Sequence, residues 1–219
     1  MTERPILYSF RRCPYALRAR MAIAASSTVC VLREVALSAK PPEMVAASPK
    51  ATVPVLVTEQ GDVIDESLGI MRWALGRNDP EHWLDHEDEA APLIAANDGP
   101  FKFHLDRYKY HSRHGSDKEA HRIAALAILA ELEARLGRSW ELCGGSRSLA
   151  DVAIMPFVRQ FADTDRDWFD AQPLPFLQAW LARHRDSALF EAAWRLRLQP
   201  WRAGDPDILF PEAKPVSGI

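Results

Sequence analysis

Two hydrophobic periods alternate along the first eighty residues of the chain. Short runs of β-branched, aromatic and aliphatic residues predict strands at residues 6–10, 29–37, 53–57 and 62–64. Segments with helical spacing begin at residues 14, 41 and 65. The first of these helices is predicted to be amphipathic, with Leu17 and Met21 on the core side and Arg18 and Arg20 off it. The alternation predicts an α/β domain built on a mixed four-stranded sheet.

The pattern changes near residues 77–86, because no strand-like run follows them and long helical windows take over. Predicted helices lie at residues 87–113, 117–136, 148–161, 173–185 and 187–198, and a surface tail begins at residue 199. We expect a kink at Gly99-Pro100 in the first of them. In the second, the predicted buried stripe contains Ile123, Leu126, Ala127, Ala130 and Leu136. The sequence therefore predicts two domains, residues 1–77 and an all-helical bundle at residues 87–219.

Composition and charge narrow the function classes. The 219 residues are 47% hydrophobic and carry a formal net charge of −3, so no positive field attracts nucleic acid or an anionic membrane. No stretch of 18 apolar residues and no signal-like start occurs, which predicts a cytoplasmic location. Glycine-rich nucleotide motifs are absent, and the histidines at positions 104, 111, 114 and 121 are scattered. His82 and His86 are four residues apart with acidic residues nearby, but they lack a helical frame and a third ligand at a suitable spacing. We therefore expect no bound metal.

Cys13 lies between a predicted strand and a predicted helix and directly precedes Pro14. Proline favours the first helical turn, so Cys13 is the expected N-cap. The unpaired N–H groups and the dipole of a helix N-terminus stabilise a thiolate there, and four arginines within two turns add positive charge. Cys13 is therefore the candidate nucleophile, and the alternative is a cysteine that only packs.

Cys13 is predicted to be the single reactive thiol of the mechanism. In the segment Cys13-Pro14-Tyr15-Ala16, alanine stands where a C-x-x-C redox motif has its second cysteine. Cys30 and Cys143 are predicted to be core residues. A mixed disulfide at Cys13 would therefore be resolved by a small external thiol.

Two further motifs follow in the α/β domain. Val53-Pro54 begins a predicted strand, and a cis bond there would turn the backbone N–H and C=O of Val53 outward as an open strand edge. Asp65-Glu66-Ser67 begins a predicted helix, with Asp65 as the expected N-cap, and its N–H groups and serine hydroxyl can hold a carboxylate. In the second domain, Ser148 and Asp151 form a capping box.

In this order, these motifs make the chain resemble the glutathione transferase superfamily over essentially its whole length. Residues 1–77 resemble the thioredoxin-like, glutathione-binding domain of that family, and the remainder with its capping box resembles the helical second domain. Cysteine followed by proline and an aromatic residue, where other members have a catalytic tyrosine or serine, resembles the cysteine-type, omega-like branch. Members of that branch form mixed disulfides with glutathione, and the resemblance also implies a homodimer.

The resemblance implies a role for each site residue, with glutathione as the co-substrate. Cys13 would contact the glutathione sulfur, Val53 would pair with the cysteinyl backbone beside a cis-Pro54, and Lys40 would reach the glycyl carboxylate. Glu66 would take the γ-glutamyl ammonium and Ser67 the γ-glutamyl carboxylate. The alternative for Lys40 is a solvated lysine.

The acceptor substrate would be a small disulfide or electrophile. Phe101, Leu105 and Tyr108 share one helical face and, with Tyr15, could line its pocket, and packing within the helical core is the alternative. The expected activity is glutathione-dependent thiol transfer, such as deglutathionylation or reduction of dehydroascorbate-like acceptors. Conjugation of glutathione to electrophiles, glutathione-dependent isomerisation and a non-catalytic regulator resembling the bacterial stringent-starvation proteins are the alternatives.

Overall fold

The predicted strands of the first eighty residues form a single sheet in the computed structural model, which describes residues 3–212. They are β1 (Ile6–Ser9), β2 (Cys30–Glu34), β3 (Val55–Val57) and β4 (Val63–Ile64). β1 pairs in parallel with β2 and antiparallel with β3, which forms a hairpin with β4. Gly61, in the turn of that hairpin, has a φ of +95°, a conformation that glycine adopts without strain. The mixed arrangement is the one that the sequence predicts.

Three helices accompany these strands, and they are α1 (Pro14–Ser26), α2 (Pro42–Ala47) and α3 (Ser67–Arg77). The prediction that α1 is amphipathic was wrong, because Arg18 and Arg20 are only 2% and 1% exposed. Arg18 Nε donates to the hydroxyl of Ser67 at 3.0 Å. Arg20 donates to the carbonyl of Arg11 at 2.9 Å and lies 4.0 Å from the carboxylate of Glu34. These polar partners allow two guanidinium groups to be buried.

A fifth strand, β5 (Leu209–Phe210), joins the sheet from the end of the described chain. It pairs antiparallel with β2 and completes the order β4-β3-β1-β2-β5. The backbone N–H of Trp201 donates to the carbonyl of Glu34 at 2.8 Å, and its ring packs edge-on against Tyr8 at 6.3 Å. The sequence predicts only a surface tail here, because two residues are too few to show a strand period.

The described chain divides into two compact units. The first contains the residues up to Pro80 and those from Ala188 onward, and the second contains Glu81–Ser187. The predicted helical domain at residues 87–219 is therefore too long at its end. The physical reason is that α11 (Ala188–Trp194) packs on α1, while β5 extends the sheet of the first unit.

The second unit is built of helices joined by short connections. After a 3₁₀ turn (Trp83–His86) they are α4 (Glu87–Ala96), α5 (Lys102–Lys109), α6 (His111–His114), α7 (Lys118–Leu136), α8 (Leu149–Ala162), α9 (Arg166–Asp170) and α10 (Pro175–Arg185). The interruption expected at Gly99-Pro100 takes the form of a π-helical turn at Asn97–Phe101, which links α4 to α5. All residues of α8 are buried, so this helix forms the centre of the unit. None of the described helices combines the length and hydrophobicity needed to cross a bilayer.

The buried face of α7 differs from the predicted one. Ile123 is 63% exposed, and of the predicted stripe only Leu136 is buried. The core side instead presents Ala125, Leu129, Leu132 and Leu136. Both stripes have helical spacing and similar hydrophobicity, and the contacts of α7 with α5 and α10 decide between them.

Candidate functional site

Cys13 is the N-cap residue of α1, as the sequence predicts. Its backbone is extended, with φ −77° and ψ 122°, and Pro14 occupies the first helical position. The side chain is partly exposed, and its Sγ donates to the carbonyl oxygen of Val53 at a separation of 3.8 Å. The thiol therefore lies at a helix N-terminus and next to the backbone that precedes β3.

The Val53-Pro54 peptide bond is cis. β3 begins at Val55, which pairs with Tyr8 of β1, so Val53 precedes the first paired residue of β3. Ala51, in the connection from α2, takes a positive φ of 52° and donates its N–H to the carbonyl of Ser48. The connection thus brings the half-buried Val53 backbone to the thiol of Cys13.

The motif at the start of α3 divides into a buried and an exposed part. The helix begins at Ser67 with Glu66 as N-cap, so the prediction of Asp65 as the cap was wrong by one residue. Ser67 is buried, and its hydroxyl accepts from Arg18 Nε at 3.0 Å, which directs the remaining hydroxyl proton away from the guanidinium. The side chain of Glu66 is 74% exposed. Ser67 is thus held in place, whereas Glu66 faces solvent.

Lys50 joins the two acidic residues of this motif, which the sequence did not indicate. Its Nζ donates to Glu66 at 2.7 Å and to Asp65 at 3.4 Å. The hydroxyl of Ser48 donates to Asp65 at 2.9 Å and is the main reason why the pKa of Asp65 is lowered. The hydrogen bond to Glu66 is the main reason why the pKa of Lys50 is raised. Lys40, the basic residue that the resemblance selects, is exposed after the turn that follows β2.

The residues expected to line an acceptor pocket fall into different environments. Tyr15 is partly exposed, and the guanidinium of Arg18 lies 5.0 Å from the centre of its ring. Phe101, Leu105 and Tyr108 are buried in the helical unit at 1% exposure or less. The rings of Phe101 and Tyr108 pack against Phe161 at 5.7 and 5.1 Å, and burial raises the pKa of Tyr108. The three side chains thus pack in the core of the helical unit, which is the alternative to a pocket lining that the sequence leaves open.

The other two cysteines are enclosed. Cys30 has no exposed surface, and burial raises the pKa of its thiol to about 12. Cys143 is buried as well, and burial raises its pKa. Neither thiol is placed to act as a nucleophile at neutral pH, since the thiolate is the reactive form.

The capping box at the start of α8 is confirmed and has further partners. Asp151 accepts hydrogen bonds from the N–H and hydroxyl of Ser148, from the N–H of Leu142 and from Nε1 of Trp180. Burial and the charge of Glu141 raise the pKa of Asp151. Glu141, Asp151 and His184 offer metal-ligating atoms within 4.8 Å of one another, but His184 Nε2 already pairs with Glu141 at 2.8 Å. The cluster therefore fastens α8 to α10 and the segment before α8.

Two histidines that appear scattered in the sequence meet in the structure. Nδ1 of His104 on α5 lies 2.8 Å from Nδ1 of His121 on α7. Burial, followed by the charges of His121 and Arg107, lowers the pKa of His104. A separation of 17 residues across two helices leaves no local motif, so only the packing of α5 on α7 shows the pair.

Comparison with known protein families gives two matches, one for each unit. The family description "Glutathione S-transferase, N-terminal domain" matches residues 7–83, and "Glutathione S-transferase, C-terminal domain" matches residues 104–183. A search of curated protein sequences gives no match. The thioredoxin-like first domain and helical second domain expected from the sequence are thereby confirmed as a fold.

Solved structures share this fold at low sequence identity. A glutathione S-transferase from Rhodospirillum rubrum F11 is 21% identical, with a TM-score of 0.74 over 90% of this chain and 95% of that chain. A glutathione transferase family member from Pseudomonas fluorescens pf-5, with two glutathione bound, is 16% identical, with a TM-score of 0.76 over 88% and 92%. Glutathione S-transferase-I bound with lactoylglutathione is 18% identical, with a TM-score of 0.73 over 88% and 99%. Since the two family descriptions match most of the chain and the fold agrees, the chain belongs to the glutathione S-transferase superfamily.

Proposed function

We propose that this protein is a glutathione-dependent thiol transferase in which Cys13 is the nucleophile. The position of the Cys13 thiol carries the proposal, because it combines partial exposure, a helix N-terminus and a separation of 3.8 Å from the Val53 carbonyl. The N–H groups and dipole at the start of α1 stabilise a negative sulfur. Loss of the thiol proton converts the sulfur from a donor to Val53 into a nucleophile.

Membership of the superfamily and the chemistry of the neighbouring groups support glutathione as the co-substrate. Two solved relatives contain glutathione or lactoylglutathione. In this chain, the Val53 backbone before the cis bond offers a strand edge to the cysteinyl unit of a peptide. Lys40 would contact the glycyl carboxylate from its exposed position after β2.

The γ-glutamyl end of glutathione is a zwitterion and needs groups of both signs. Asp65 and Glu66 supply carboxylates for its ammonium, while the hydroxyl of Ser67 and the N–H groups at the start of α3 supply donors for its carboxylate. Lys50 bridges Asp65 and Glu66 and balances one of their two negative charges. One net negative charge then faces the ligand's ammonium. Because Glu66 is exposed, its carboxylate can bind that ammonium while it remains paired with Lys50.

The reaction would proceed in two exchanges that conserve electrons. The Cys13 thiolate attacks the glutathione sulfur of a mixed disulfide R–S–S–G, so that a Cys13–glutathione disulfide forms and R–S⁻ leaves and takes a proton from water. A second glutathione thiolate then attacks the glutathione sulfur on Cys13, releasing oxidised glutathione and restoring the thiolate. Ala16 replaces a resolving cysteine, and Cys30 and Cys143 are buried, so the external thiol is required.

Reduction of hydroxyethyl disulfide by glutathione tests this proposal directly. We expect activity in the wild type, none in Cys13→Ser, and wild-type activity in Cys143→Ala, the matched control in which a buried thiol is removed. Mass spectrometry of Cys13 after treatment with oxidised glutathione should show one glutathione adduct. Absence of disulfide reduction in the wild type would contradict the thiol transferase mechanism.

The same variants separate the alternative functions. Conjugation of an aromatic electrophile that persists or rises in Cys13→Ser would identify a conjugating transferase, because serine supplies a hydroxyl donor to the glutathione sulfur without forming a disulfide. Failure of immobilised glutathione to retain the wild type, together with no activity in either assay, would favour a non-catalytic regulator.

A further inference from the structure

The turn that leads from β1 to Cys13 is held by two charged side chains. The N–H of Cys13 donates to the carbonyl of Phe10 at 3.0 Å, which closes a β-turn with Arg11 at its second position. The backbone groups of a residue at that position take no part in the hydrogen bond that closes the turn. Here the N–H of Arg11 donates to Oε1 of Glu34 at 2.8 Å, and its carbonyl accepts from Nη2 of Arg20 at 2.9 Å. Glu34 and Arg20 thus hold Arg11 by both of its backbone groups.

The backbone around Glu34 is itself hydrogen-bonded on both sides. Glu34 is the last residue of β2 and lies in register with Ser9, the last residue of β1. The N–H of Val35 donates to the carbonyl of Ser9, and the carbonyl of Glu34 accepts from the N–H of Trp201, each at 2.8 Å. Because β1 and β2 are parallel, their carboxyl ends lie at the same edge of the sheet, next to the turn that follows β1. The carboxylate therefore extends from a fixed strand end to that turn.

Glu34 and Arg20 are buried together. Their side chains are 9% and 1% exposed, and Nη1 of Arg20 lies 4.0 Å from Oε2 of Glu34. Burial raises the pKa of Glu34, while the hydrogen bond from Arg11 and the charges of Arg20 and Arg11 act in the opposite direction. The free-energy cost of removing two charges from water offsets their attraction, so stability alone does not account for the pair. Each of the two charged groups does, however, make a strong hydrogen bond to the backbone of Arg11.

We propose that Glu34, paired with Arg20, is a positioning residue for Cys13 and acts through the backbone of Arg11. The inference rests on the proposed function of Cys13 as the nucleophile. With Arg11 held, the turn sets where α1 begins and keeps the thiol at the N-cap, 3.8 Å from the carbonyl of Val53. Without these hydrogen bonds the turn relaxes, and the sulfur leaves the region in which the helix N–H groups and dipole stabilise a thiolate.

A positioning role and a purely electrostatic role of Glu34 predict opposite changes at Cys13. A carboxylate that acts only through its charge disfavours a nearby thiolate, so its removal would lower the pKa of the Cys13 thiol. A carboxylate that holds the turn favours the thiolate, so its removal should raise that pKa. Glu34→Ala removes both the charge and the acceptor of the Arg11 N–H, whereas Glu34→Gln removes the charge and keeps an oxygen that accepts. We therefore expect a raised pKa in Glu34→Ala and a pKa at or below the wild-type value in Glu34→Gln.

The pH dependence of alkylation of the full chain by iodoacetamide measures this pKa, with peptide mass spectrometry giving the rate at Cys13 alone. Glu34→Ala should raise the pKa by about half a unit and slow alkylation below it about threefold, which is the size of a helix N-terminal effect on a charge. Glu59→Gln is the matched control, because the carboxylate of Glu59 pairs with Arg77, and it should leave the pKa unchanged. An unchanged or lowered pKa in Glu34→Ala, or an equal rise in Glu34→Gln, would overturn the proposal. Alkylation needs no glutathione, so failure of this inference is distinguishable from failure of disulfide reduction in the wild type.

A measurement on the wild type does not depend on the folding of Glu34→Ala. Amide hydrogen exchange followed by NMR reports Arg11 and Arg12, the two central residues of the turn, separately. The Arg11 N–H donates to a buried carboxylate, so its protection should exceed that of the Arg12 N–H by at least about tenfold. Equal protection of the two amides would also overturn the proposal, because Arg11 would then not be held by Glu34.

Discussion

The buried carboxylate of Asp151 should be one of the most costly side chains to remove from the helical unit. It has no exposed surface, and its oxygens accept from the N–H groups of Leu142 and Ser148 and from Nε1 of Trp180. Asp151→Ala leaves these three donors in the core without an acceptor. At about 1–3 kcal/mol for each unsatisfied group, with partial relaxation, the loss should be about 4 kcal/mol.

Asp151→Asn provides an internal comparison. The amide oxygen can still accept from Leu142 and Trp180, but the amide NH₂ then meets the donors of Ser148. This variant also removes the repulsion between Asp151 and Glu141. We therefore expect Asp151→Asn to cost about half as much as Asp151→Ala, about 2 kcal/mol.

Thermal unfolding followed by circular dichroism measures both effects. For a chain of this size, about 4 kcal/mol lowers Tm by about 8–16 °C, and about 2 kcal/mol lowers it by about half that amount. Urea unfolding at a constant m-value gives the free energies themselves. A loss below about 1 kcal/mol for Asp151→Ala would refute the reasoning, because it would mean that the three donors find other partners.

Three further predictions concern the first unit. A thiol-specific reagent at pH 8 should label Cys13 rapidly in the native protein and the other two cysteines only on unfolding, since burial raises the pKa of Cys30 to about 12. Fast labelling of Cys30 would contradict its buried placement. Arg18→Met removes the hydrogen-bond donor to Ser67 and should raise the KM for glutathione about tenfold, the equivalent of about 1.4 kcal/mol, with a smaller change in kcat. An unchanged KM would show that Ser67 does not need the hydrogen bond from Arg18. The Ser48 hydroxyl lowers the pKa of Asp65, so the ionised carboxylate stabilises the folded state above about pH 4, and this contribution is lost as the pH falls through the lowered pKa. The difference in unfolding free energy between wild type and Asp65→Asn should therefore shrink on acidification. A difference that grows would reverse the assigned sign.

Local signals in the sequence were sufficient for several parts of the fold and site. Cys13 before proline marked the start of α1 and the capping box marked the start of α8, while the strand-initial Pro54 only allowed a cis bond, which the family resemblance implied. Each depends on residues within a few positions, where capping and proline geometry act. The cysteine-type mechanism, the homodimer and the cytoplasmic location stay predictions.

Features that depend on tertiary partners could not be predicted in the same way. Lys50 approaches Glu66 through the connection between α2 and β3, and His104 meets His121 only because α5 packs on α7. Ile123 was misplaced because α7 carries two stripes of similar hydrophobicity. In each case the deciding contact joins residues far apart in sequence, which periodicity does not record.

The pairing of β5 with β2 gives the protein the topology of a domain insertion. In the sequence, the helical unit is inserted between two segments of the first unit, one before it and one after it. A nascent chain can therefore complete its helical unit while the outer edge of β2 still lacks its neighbour, which is synthesised after that unit. A chain truncated before Leu209 would leave that edge open to pairing with other chains, so β5 protects the sheet from aggregation.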